Sequence, residues 1–426
     1  MSGQGDARRR DGRPGGPQNR PQGRSHGQRG SQQAGGQPRG RRGDEPRGPQ
    51  RTVQPARRVA YDVLRAVSES DAYANLILPS AIAEAGLGPQ DAALATELAY
   101  GTLRRRGTYD AIIASAADRP AEEIDPAVLD ALRLATHQLL ATRVASHAAV
   151  NESVNLVAST QGRGASSFAN AVLRRIARET PGEWEDRIES SARSDDERLA
   201  LRSAHPVWVI RALRRALAAE GRADELDDLL DADNASPEVT LVALPGLADP
   251  GEPRRPYAPT AFGSPGGDPH RVIAATGGTV RVQDEGSQLV ALALAAAAPI
   301  TSGERWLDLC AGPGGKTALL AAIAREHDVT LEANEVIPTR ARLVRNALRA
   351  VPGEVVVHEE DGRSFGASHP GAFDRILVDA PCTGLGALRR RPEARWRKTP
   401  ADVAELVPLQ VELLSSALHA LAPGGI

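Results

Sequence analysis

Apolar residues recur at three- and four-residue spacing from about residue 55 to residue 178, as in Val59, Val63 and Val67. This periodicity is typical of amphipathic helices that bury one face. Breaks rich in glycine and proline near residues 86–89, 119–120 and 162–164 divide the segment into helices of ordinary length. The pattern predicts an all-α bundle.

The pattern changes twice after the bundle. The helical periodicity weakens after residue 178 and resumes over 206–219, and residues 236–243 are predicted to form a strand. Residues 245–278 contain fourteen prolines and glycines in thirty-four positions, a composition typical of a loop. We therefore expect a small mixed α/β module over 181–280, with a domain boundary in this loop.

Short apolar strands alternate with helices in the last third of the chain. The predicted strands are 305–309, 329–333, 355–359 and 375–379, and the predicted helices are 317–325, 338–351 and 402–421. This alternation predicts a doubly wound, Rossmann-like α/β domain over 281–426. Together with a tail at 1–50 and the helical domain at 51–180, the fold is predicted to be multidomain.

Composition excludes several classes of protein. The chain has 426 residues, of which 41% are hydrophobic and 25% charged, and its longest apolar run, 289–300, is short of the ~20 residues that cross a bilayer. Two cysteines cannot form a disulfide framework, and no apolar segment typical of a secretory signal follows the basic N-terminus. We expect a cytoplasmic protein without a membrane partner.

The net charge of −2 conceals an uneven distribution. Residues 1–50 contain eleven arginines and four acids, a charge of +7, which leaves −9 for the remainder. With thirteen glycines, six prolines and three apolar residues, this tail has too little apolar surface to fold, and we expect it to be disordered. Its arginines could bind RNA phosphates, or the tail could be a solvated extension without a ligand.

A glycine-rich turn follows the first predicted strand of the α/β domain and precedes a helix, a place where backbone N–H groups can approach a ligand. Two ligand classes fit. A nucleotide phosphate would require a P-loop, but Cys310 occupies the position of the P-loop's first glycine. S-adenosylmethionine would require an acid about twenty residues downstream for its ribose, and Glu335 stands there. The candidate cofactor-binding residues of the turn are Cys310, Ala311, Gly312, Pro313, Gly314, Gly315 and Lys316.

Lysine, cysteine and acidic residues mark the same edge of the predicted sheet. Lysine occurs twice beside fifty arginines, and Lys316 lies inside the turn, while both cysteines, Cys310 and Cys382, end predicted strands. Asp361 could reach the adenine amine of a cofactor, although an Asp-Gly pair is also an ordinary turn. Asp379 ends the fourth strand near the reacting centre, or is only the cap of the next helix.

A basic segment follows Cys382, with six basic residues and one tryptophan in ten positions. Arginines neutralise phosphates and tryptophan can stack on a base, so this position beside the ligand edge favours RNA over a merely solvated face. The predicted RNA-binding residues are Arg389, Arg390, Arg391, Arg395, Trp396, Arg397 and Lys398.

Residues 55–426 together resemble the Sun/Fmu/RsmB family of bacterial rRNA cytosine-5 methyltransferases. The matches are the glycine turn, Asp379-Ala-Pro-Cys382, the segments 282–288 and 205–208, and, in the helical half, 100–104 and 169–174. The resemblance implies a NusB-like RNA-binding domain followed by a methyltransferase domain that uses S-adenosylmethionine and acts on small-subunit rRNA. We also expect a monomer without a metal.

The family resemblance also implies a mechanism with two cysteines. A thiolate adds to C6 of cytosine, C5 takes the methyl group, and loss of the C5 proton expels the enzyme. Cys382 matches the cysteine that assists product release, while the nucleophile belongs to a Thr-Cys-Ser segment after a Pro-Gly-Gly turn. Residues 423–425 match that turn, and the sequence stops at Ile426.

We therefore expect the sequence to be a truncated form of a competent enzyme, with nearly half of its sheet missing and the strand at 375–379 left as an exposed edge. In this form it should bind the cofactor weakly at most and not complete methylation. The alternatives are a non-catalytic NusB-like RNA-binding protein with a remnant methyltransferase domain and, less favoured, a P-loop ATPase.

Overall fold

The computed structural model describes residues 53–70 and 72–426. The tail predicted at 1–50 lies outside the described residues. In the part of the chain that the structure describes, no helix combines the length and apolarity that crossing a bilayer requires.

The N-terminal half is a helical bundle, as predicted. Its helices are α1 (Pro55–Glu69), α2 (Ala74–Glu84), α3 (Pro89–Arg104), α4 (Arg106–Ala117), α5 (Pro126–Ala141), α6 (Ser146–Ile176) and α7 (Pro181–Ser190). Gly162 interrupts α6 with a φ of +87°, which confirms the predicted break there. Trp184 of α7 is fully buried in the same core and donates a hydrogen bond to the carbonyl of Ile176 at 3.0 Å.

The middle of the chain holds short helices and a small sheet. Its elements are α8 (Asp195–Ser203), α9 (Val207–Ala219), α10 (Leu226–Asn234), β1 (Thr240–Ala243), β2 (Ala261–Gly263), α11 (Pro269–Ala275) and β3 (Val280–Val282). Strand β1 pairs antiparallel with both β2 and β3. The prediction of a plain loop over 245–278 is therefore wrong, because β2 and α11 lie inside it. Three-residue strands are too short for a periodic signal, and pairing with β1 defines them.

The C-terminal part is a parallel sheet with helices on both faces. Its elements are α12 (Glu285–Ala296), β4 (Arg305–Asp308), α13 (Gly315–Glu326), β5 (Thr330–Asn334), α14 (Pro338–Leu348), β6 (Val356–His358), α15 (Gly362–Ser368), β7 (Arg375–Leu377), α16 (Ala394–Arg397) and α17 (Pro400–Ala420). The strand order is β6-β5-β4-β7. The doubly wound architecture is confirmed.

Alternation along β4 distributes its side chains between the two faces of this sheet. Trp306 is fully buried against α12 and α13, whereas Leu307 is fully buried against α15 and α17. At the outer edge of β7, the backbone of Ile376 donates a hydrogen bond to the carbonyl of Ile426 at 2.9 Å, so residues near 426 pair with the edge that was expected to be bare.

Arg375 connects β7 to the end of α12. Its side chain is 2% exposed, and it donates to Glu304 Oε2 at 2.8 Å and to the carbonyls of Leu294, Ala295, Ala298 and Pro299 at 2.9–3.1 Å. The hydrogen bond from Arg375 to Glu304 is the main cause that lowers the pKa of Glu304 to about 2. A buried guanidinium with this many acceptors orients β7 relative to the helix layer.

We expect Arg375→Met to lower the free energy of unfolding by about 3 kcal/mol or more, because it leaves Glu304 and the helix-end carbonyls without their donor. Urea unfolding followed by tryptophan fluorescence measures the change, and the Trp306 ring, which lies 5.3 Å from the Arg375 guanidinium, is among the reporters. The matched control is Arg305→Met, which removes a half-exposed ion pair with Glu332 and should cost under about 1 kcal/mol.

The pH dependence gives a second readout of the same contact. Since the folded pKa of Glu304 lies below its ordinary value of 4.5, its stabilising contribution is present above pH 4.5 and is lost as the pH falls towards 2. That loss should be smaller in the Arg375→Met variant. Equal acid sensitivity in both proteins would contradict the assigned contact.

Candidate active site

The carboxyl ends of the four parallel strands meet at one edge of the sheet. The chain crosses from β6, at one side, to β7, at the other side of β4, so β4 and β7 flank the point where the direction of winding reverses. Open α/β sheets bind their ligands in the crevice at this point. The glycine turn, Glu335, Asp361 and Asp379 all follow strands that end here.

Two glycines of the turn are required by close packing. Gly314 has a φ of +102°, and a Cβ at this residue would lie 2.8 Å from atoms of Val344 and Ala347 in α14. A Cβ on Gly312 would collide with the carboxylate of Glu335. The turn therefore depends on glycine to let α13 start against the next strand and its helix.

Glu335 is buried directly beside this turn. Its Oε2 accepts the N–H of Gly312 at 3.1 Å and its Oε1 accepts the N–H of Ile337 at 3.0 Å. Arg340 lies 3.5 Å from the same carboxylate and donates to the Gly312 carbonyl at 2.7 Å. The acid predicted to bind ribose is thus held at the crevice wall.

Asp308, the last residue of β4, was not among the predicted site residues. Its Oδ2 accepts the hydroxyl of Thr317 at 2.7 Å, while its buried Oδ1 has no hydrogen-bond partner among the described residues. Burial raises the pKa of Asp308 to about 6, and the charge of Asp379 adds to the effect. The signal in the sequence was a charged residue inside the apolar run Trp306-Leu-Asp-Leu.

An ion pair connects the turn to the end of β7. Lys316 Nζ lies 2.7 Å from Asp379 Oδ2, with the lysine mostly buried and the aspartate half exposed. One of the two lysines in the chain therefore bridges β4 and β7 at the winding reversal. Lys316 and Asp379, both predicted from the sequence to lie at the carboxyl edge of the sheet, are therefore in direct contact.

The two cysteines differ in their environment. Cys310 is largely shielded from solvent, and burial, aided by the charges of Asp308, Glu335 and Asp379, raises its pKa to about 12. Cys382 is exposed, in a loop that Gln410 fastens by donating to the Pro381 carbonyl at 2.8 Å. Cys310 is therefore a neutral thiol at physiological pH, whereas Cys382 is open to solvent in the loop after β7.

Asp361 caps helix α15. It accepts the N–H of Arg363 at 3.0 Å and the guanidinium of the same residue at 2.6 Å, and these hydrogen bonds lower the pKa of Asp361. This geometry is that of an ordinary turn, one of the two roles that the sequence analysis allowed for Asp361. Contact with adenine stays a prediction for this half-exposed carboxylate.

The basic segment divides between surface and interior. Arg389, Arg390 and Arg391 are exposed, and Arg390 pairs with Asp284. Arg395 is 0% exposed and donates to the carbonyl of Ala204 at 3.1 Å and to Asn234 Oδ1 at 2.9 Å. The RNA contact predicted for Arg395 does not fit this burial, because a phosphate cannot reach the guanidinium.

Trp396 and Arg397 lie at the junction with the helical domain. The Trp396 ring packs so closely on Gly107 that a Cβ there would lie 2.8 Å from ring atom Cζ2. Arg397 donates to the carbonyls of Val67 at 3.0 Å and Ala72 at 2.6 Å, and Lys398 donates to Asp402 at 3.1 Å. These contacts hold the connection between β7 and α17 against α1 and α4.

The crevice has unused hydrogen-bond acceptors that a cofactor could satisfy. Oδ1 of Asp308 and Oε1 of Gln283 are buried without a partner in the described part of the chain, and Gln283 lies against Gly315 at the start of α13. Buried polar atoms are usually paired, so two unpaired oxygens beside a glycine turn fit a ligand with donor groups, such as an amino acid ammonium.

Comparison with known proteins decides the family. A sequence profile described as "16S rRNA methyltransferase RsmB/F" matches residues 295–426, and a NusB family profile matches 54–178. "Putative methyltransferase Rv1407" of Mycobacterium tuberculosis (strain ATCC 25618 / H37Rv) is 49% identical over 389 residues, 89% of this chain and 84% of that protein. "Probable ribosomal RNA small subunit methyltransferase B" of Bacillus subtilis (strain 168) is 31% identical, over 87% of this chain and 83% of that protein. The chain belongs to the RsmB/F methyltransferase family.

Family membership confirms the resemblance, the fold class and S-adenosylmethionine as the cofactor. Of the two ligands considered for the glycine turn, family membership therefore selects S-adenosylmethionine over a nucleotide phosphate bound by a P-loop. Among solved structures, "Crystal Structure of PH0851" has a TM-score of 0.72 at 22% identity and covers 88% of this chain and 85% of that chain. The RsmB/F protein therefore shares that fold along most of its length.

We expect Asp308→Asn to raise the free energy of unfolding of the cofactor-free protein at pH 8 by up to about 2 kcal/mol, because it removes a buried charge. Since the folded pKa of about 6 lies above the ordinary 3.8, the native carboxylate destabilises the protein as the pH rises through 6. The gain should thus shrink at pH 4. Urea unfolding at both pH values measures it.

Glu354→Gln, at an exposed acid in the loop before β6, is the matched control and should change stability by under about 0.5 kcal/mol at either pH. A variant at Asp308 that is equally destabilised at pH 4 and pH 8 would show that its hydrogen bonds, and not its charge, dominate.

Proposed function

We propose that this RsmB/F-family protein transfers a methyl group from S-adenosylmethionine to C5 of a cytosine in small-subunit rRNA. The observation that carries the proposal is the exposed thiol of Cys382, three residues beyond Asp379, which pairs with Lys316 of the glycine turn. The names of the family profile and of the Bacillus subtilis relative, which specify rRNA of the small subunit, support the substrate class.

Different residues of the crevice would bind different parts of the cofactor. The backbone of the turn from Cys310 to Lys316 would surround its amino acid end, Glu335 would accept the ribose hydroxyls, and Asp361 would lie towards the adenine amine. The bound cofactor supplies an electrophilic methyl group. Asp379 would hold the amino edge of the target base, beside Cys382.

The two cysteines of the chain have unequal capacity for this chemistry. Cys310 is unsuited to be a nucleophile, because its thiol is shielded and stays protonated at neutral pH. Cys382 is accessible, and we assign it the assisting role at product release. The thiolate that adds to C6 is expected from a Thr-Cys-Ser segment that is not among residues 1–426.

The test of the reaction uses the protein as its source cells make it. Deletion of the gene should abolish 5-methylcytosine at one position of 16S rRNA, read by bisulfite sequencing, and restoring the gene should restore it. An unchanged methylation pattern would overturn the proposal and favour the alternative, a NusB-like RNA-binding protein without catalytic activity.

The role of Cys382 has its own test in the complemented strain. We expect Cys382→Ser to accumulate a protein–RNA adduct that survives denaturing gel electrophoresis, since slowed release leaves the enzyme attached to C6. The matched variant Cys310→Ser should show no adduct. If Cys382→Ser abolishes methylation without an adduct, Cys382 acts before covalent attachment and the assisting role is wrong.

Glu335→Gln should weaken S-adenosylmethionine binding roughly tenfold, because a charged acceptor for two hydroxyls is replaced by a neutral one. Isothermal titration of the purified chain measures the dissociation constant. The control is Glu332→Gln on β5, the strand just before Glu335, whose carboxylate pairs with Arg305 and His358. Equal weakening by both substitutions would contradict a specific role for Glu335.

A further inference from the structure

Arginines from two domains meet where the helical bundle contacts the connection after Cys382. Helix α3 ends at Arg104 and is followed by Arg105, and Trp396 packs on Gly107 two residues later. Glu393 accepts the N–H of Ala74 at 3.2 Å. These contacts place the exposed run 389–391 beside the end of α3.

Arg391 shows this proximity directly. Its guanidinium lies 5.5 Å from the ring centroid of Tyr73, which belongs to the helical domain. Arg389 reaches the middle module and donates to the Ser236 carbonyl at 3.4 Å. The run therefore spans the seam between the methyltransferase domain and the two units that precede it in the chain.

Arg104 is the unusual member of this group. It is 7% exposed, and its buried Nε has no hydrogen-bond partner among the described residues. Burial lowers the pKa of Arg104, and the charges of Arg105 and Arg389 lower it further. A guanidinium buried among like charges is costly unless an anion compensates it.

The acids nearby do not balance these charges. Glu97 lies close enough to raise the pKa of Arg104 but is half exposed and is shared with His137, at 3.4 Å. Glu393 is buried, burial raises its pKa, and one of its oxygens is committed to Ala74. The cluster keeps a net positive charge at the surface.

We propose that the exposed residues Arg105, Arg389 and Arg391 form one phosphate-binding surface for the RNA substrate, shared by the helical domain and the loop after Cys382. The buried guanidinium of Arg104 lies beneath this surface and adds to its positive charge. Guanidinium groups bind phosphate oxygens in a bidentate manner, and phosphates would supply the anions that the cluster lacks. RNA is favoured over an acidic protein because Arg389 and Cys382 belong to one connection, between β7 and α16, so an RNA strand that presents a base to that thiol would also meet this connection.

This inference rests on the proposed function and adds a route for the RNA. Because the surface belongs to both domains, RNA would bind the NusB-like bundle and the methyltransferase edge as a single unit. Binding by the helical domain would thereby deliver the target strand to the crevice in a set orientation.

The test compares two double variants that remove the same charge. Arg105→Gln with Arg391→Gln alters two exposed members of the surface, while Arg325→Gln with Arg342→Gln alters two exposed arginines of α13 and α14. Binding of a 16S rRNA transcript is measured by filter retention from 50 to 300 mM KCl. The arginines of residues 1–50 are present in every variant and cancel in the comparison.

At 150 mM KCl we expect the first pair to bind RNA roughly tenfold more weakly than the unmodified chain, with a salt dependence reduced by about 1.4 to 1.8 ions. The second pair should stay within about twofold. S-adenosylmethionine affinity and urea stability should be unchanged in both, which separates lost phosphate contacts from misfolding.

The possible outcomes distinguish failure of the proposed RNA-binding surface from failure of the proposed rRNA methylation. If the gene is required for 16S rRNA methylation but both pairs bind RNA equally well, the surface is wrong and the function stands. If the first pair loses affinity for an acidic ribosomal protein and keeps its affinity for RNA, the surface belongs to a protein partner, which also overturns the proposal. If the unmodified chain fails to bind RNA and deletion leaves methylation intact, both proposals fail.

Discussion

The buried guanidinium of Arg395 determines how the parts of this molecule come together. It loses all contact with solvent on folding, and burial lowers its pKa to about 10. A buried charge is tolerated only when acceptors replace its water. Those acceptors are backbone and side-chain oxygens at the ends of α8 and α10, at Ala204, Asp233 and Asn234. The middle module and the connection after Cys382 must therefore adopt one relative position.

Other contacts of the same connection extend this constraint to the helical domain. Apolar residues Leu388 and Ala394 pack with Val209 of α9, and Arg397 donates to two carbonyls at the end of α1. At the other end, Arg375 fixes β7 to the helix layer beneath it. The loop with Asp379 and Cys382 is thus anchored on both sides, which limits its movement relative to the crevice.

The ligand edge is organised by acids whose environments differ. Asp308 is fully buried and has a raised pKa, Glu335 is buried on backbone N–H groups, and Asp379 is half exposed beside Lys316. Four strand ends bring negative charge into one crevice, with Lys316 and Arg340 as the nearby cations. This distribution suits a cofactor that presents hydroxyl and amino donors at one end and a positive sulfonium at its centre.

Much of the architecture was predictable because it depends on neighbours in the chain. Helical periodicity, the β/α alternation and the strand–glycine turn–helix order are local patterns, and each is found in the structure. Strands β2 and β3 of the small sheet were missed, since three residues carry no period and only pairing with β1 defines them. Asp308 was missed because its raised pKa depends on burial beside α13 and on the charge of Asp379 after β7, both distant in the chain.

The sequence by itself determined the elements, the glycine positions and the set of chemically capable residues, because steric and periodic preferences act over a few residues. Tertiary structure alone decided which of two cysteines is accessible, which of seven basic-segment residues is buried, and that Arg104 meets Arg389 across a junction. Exposure and pKa depend on groups distant in the chain that folding brings within a few ångströms, and such meetings leave no local pattern to read.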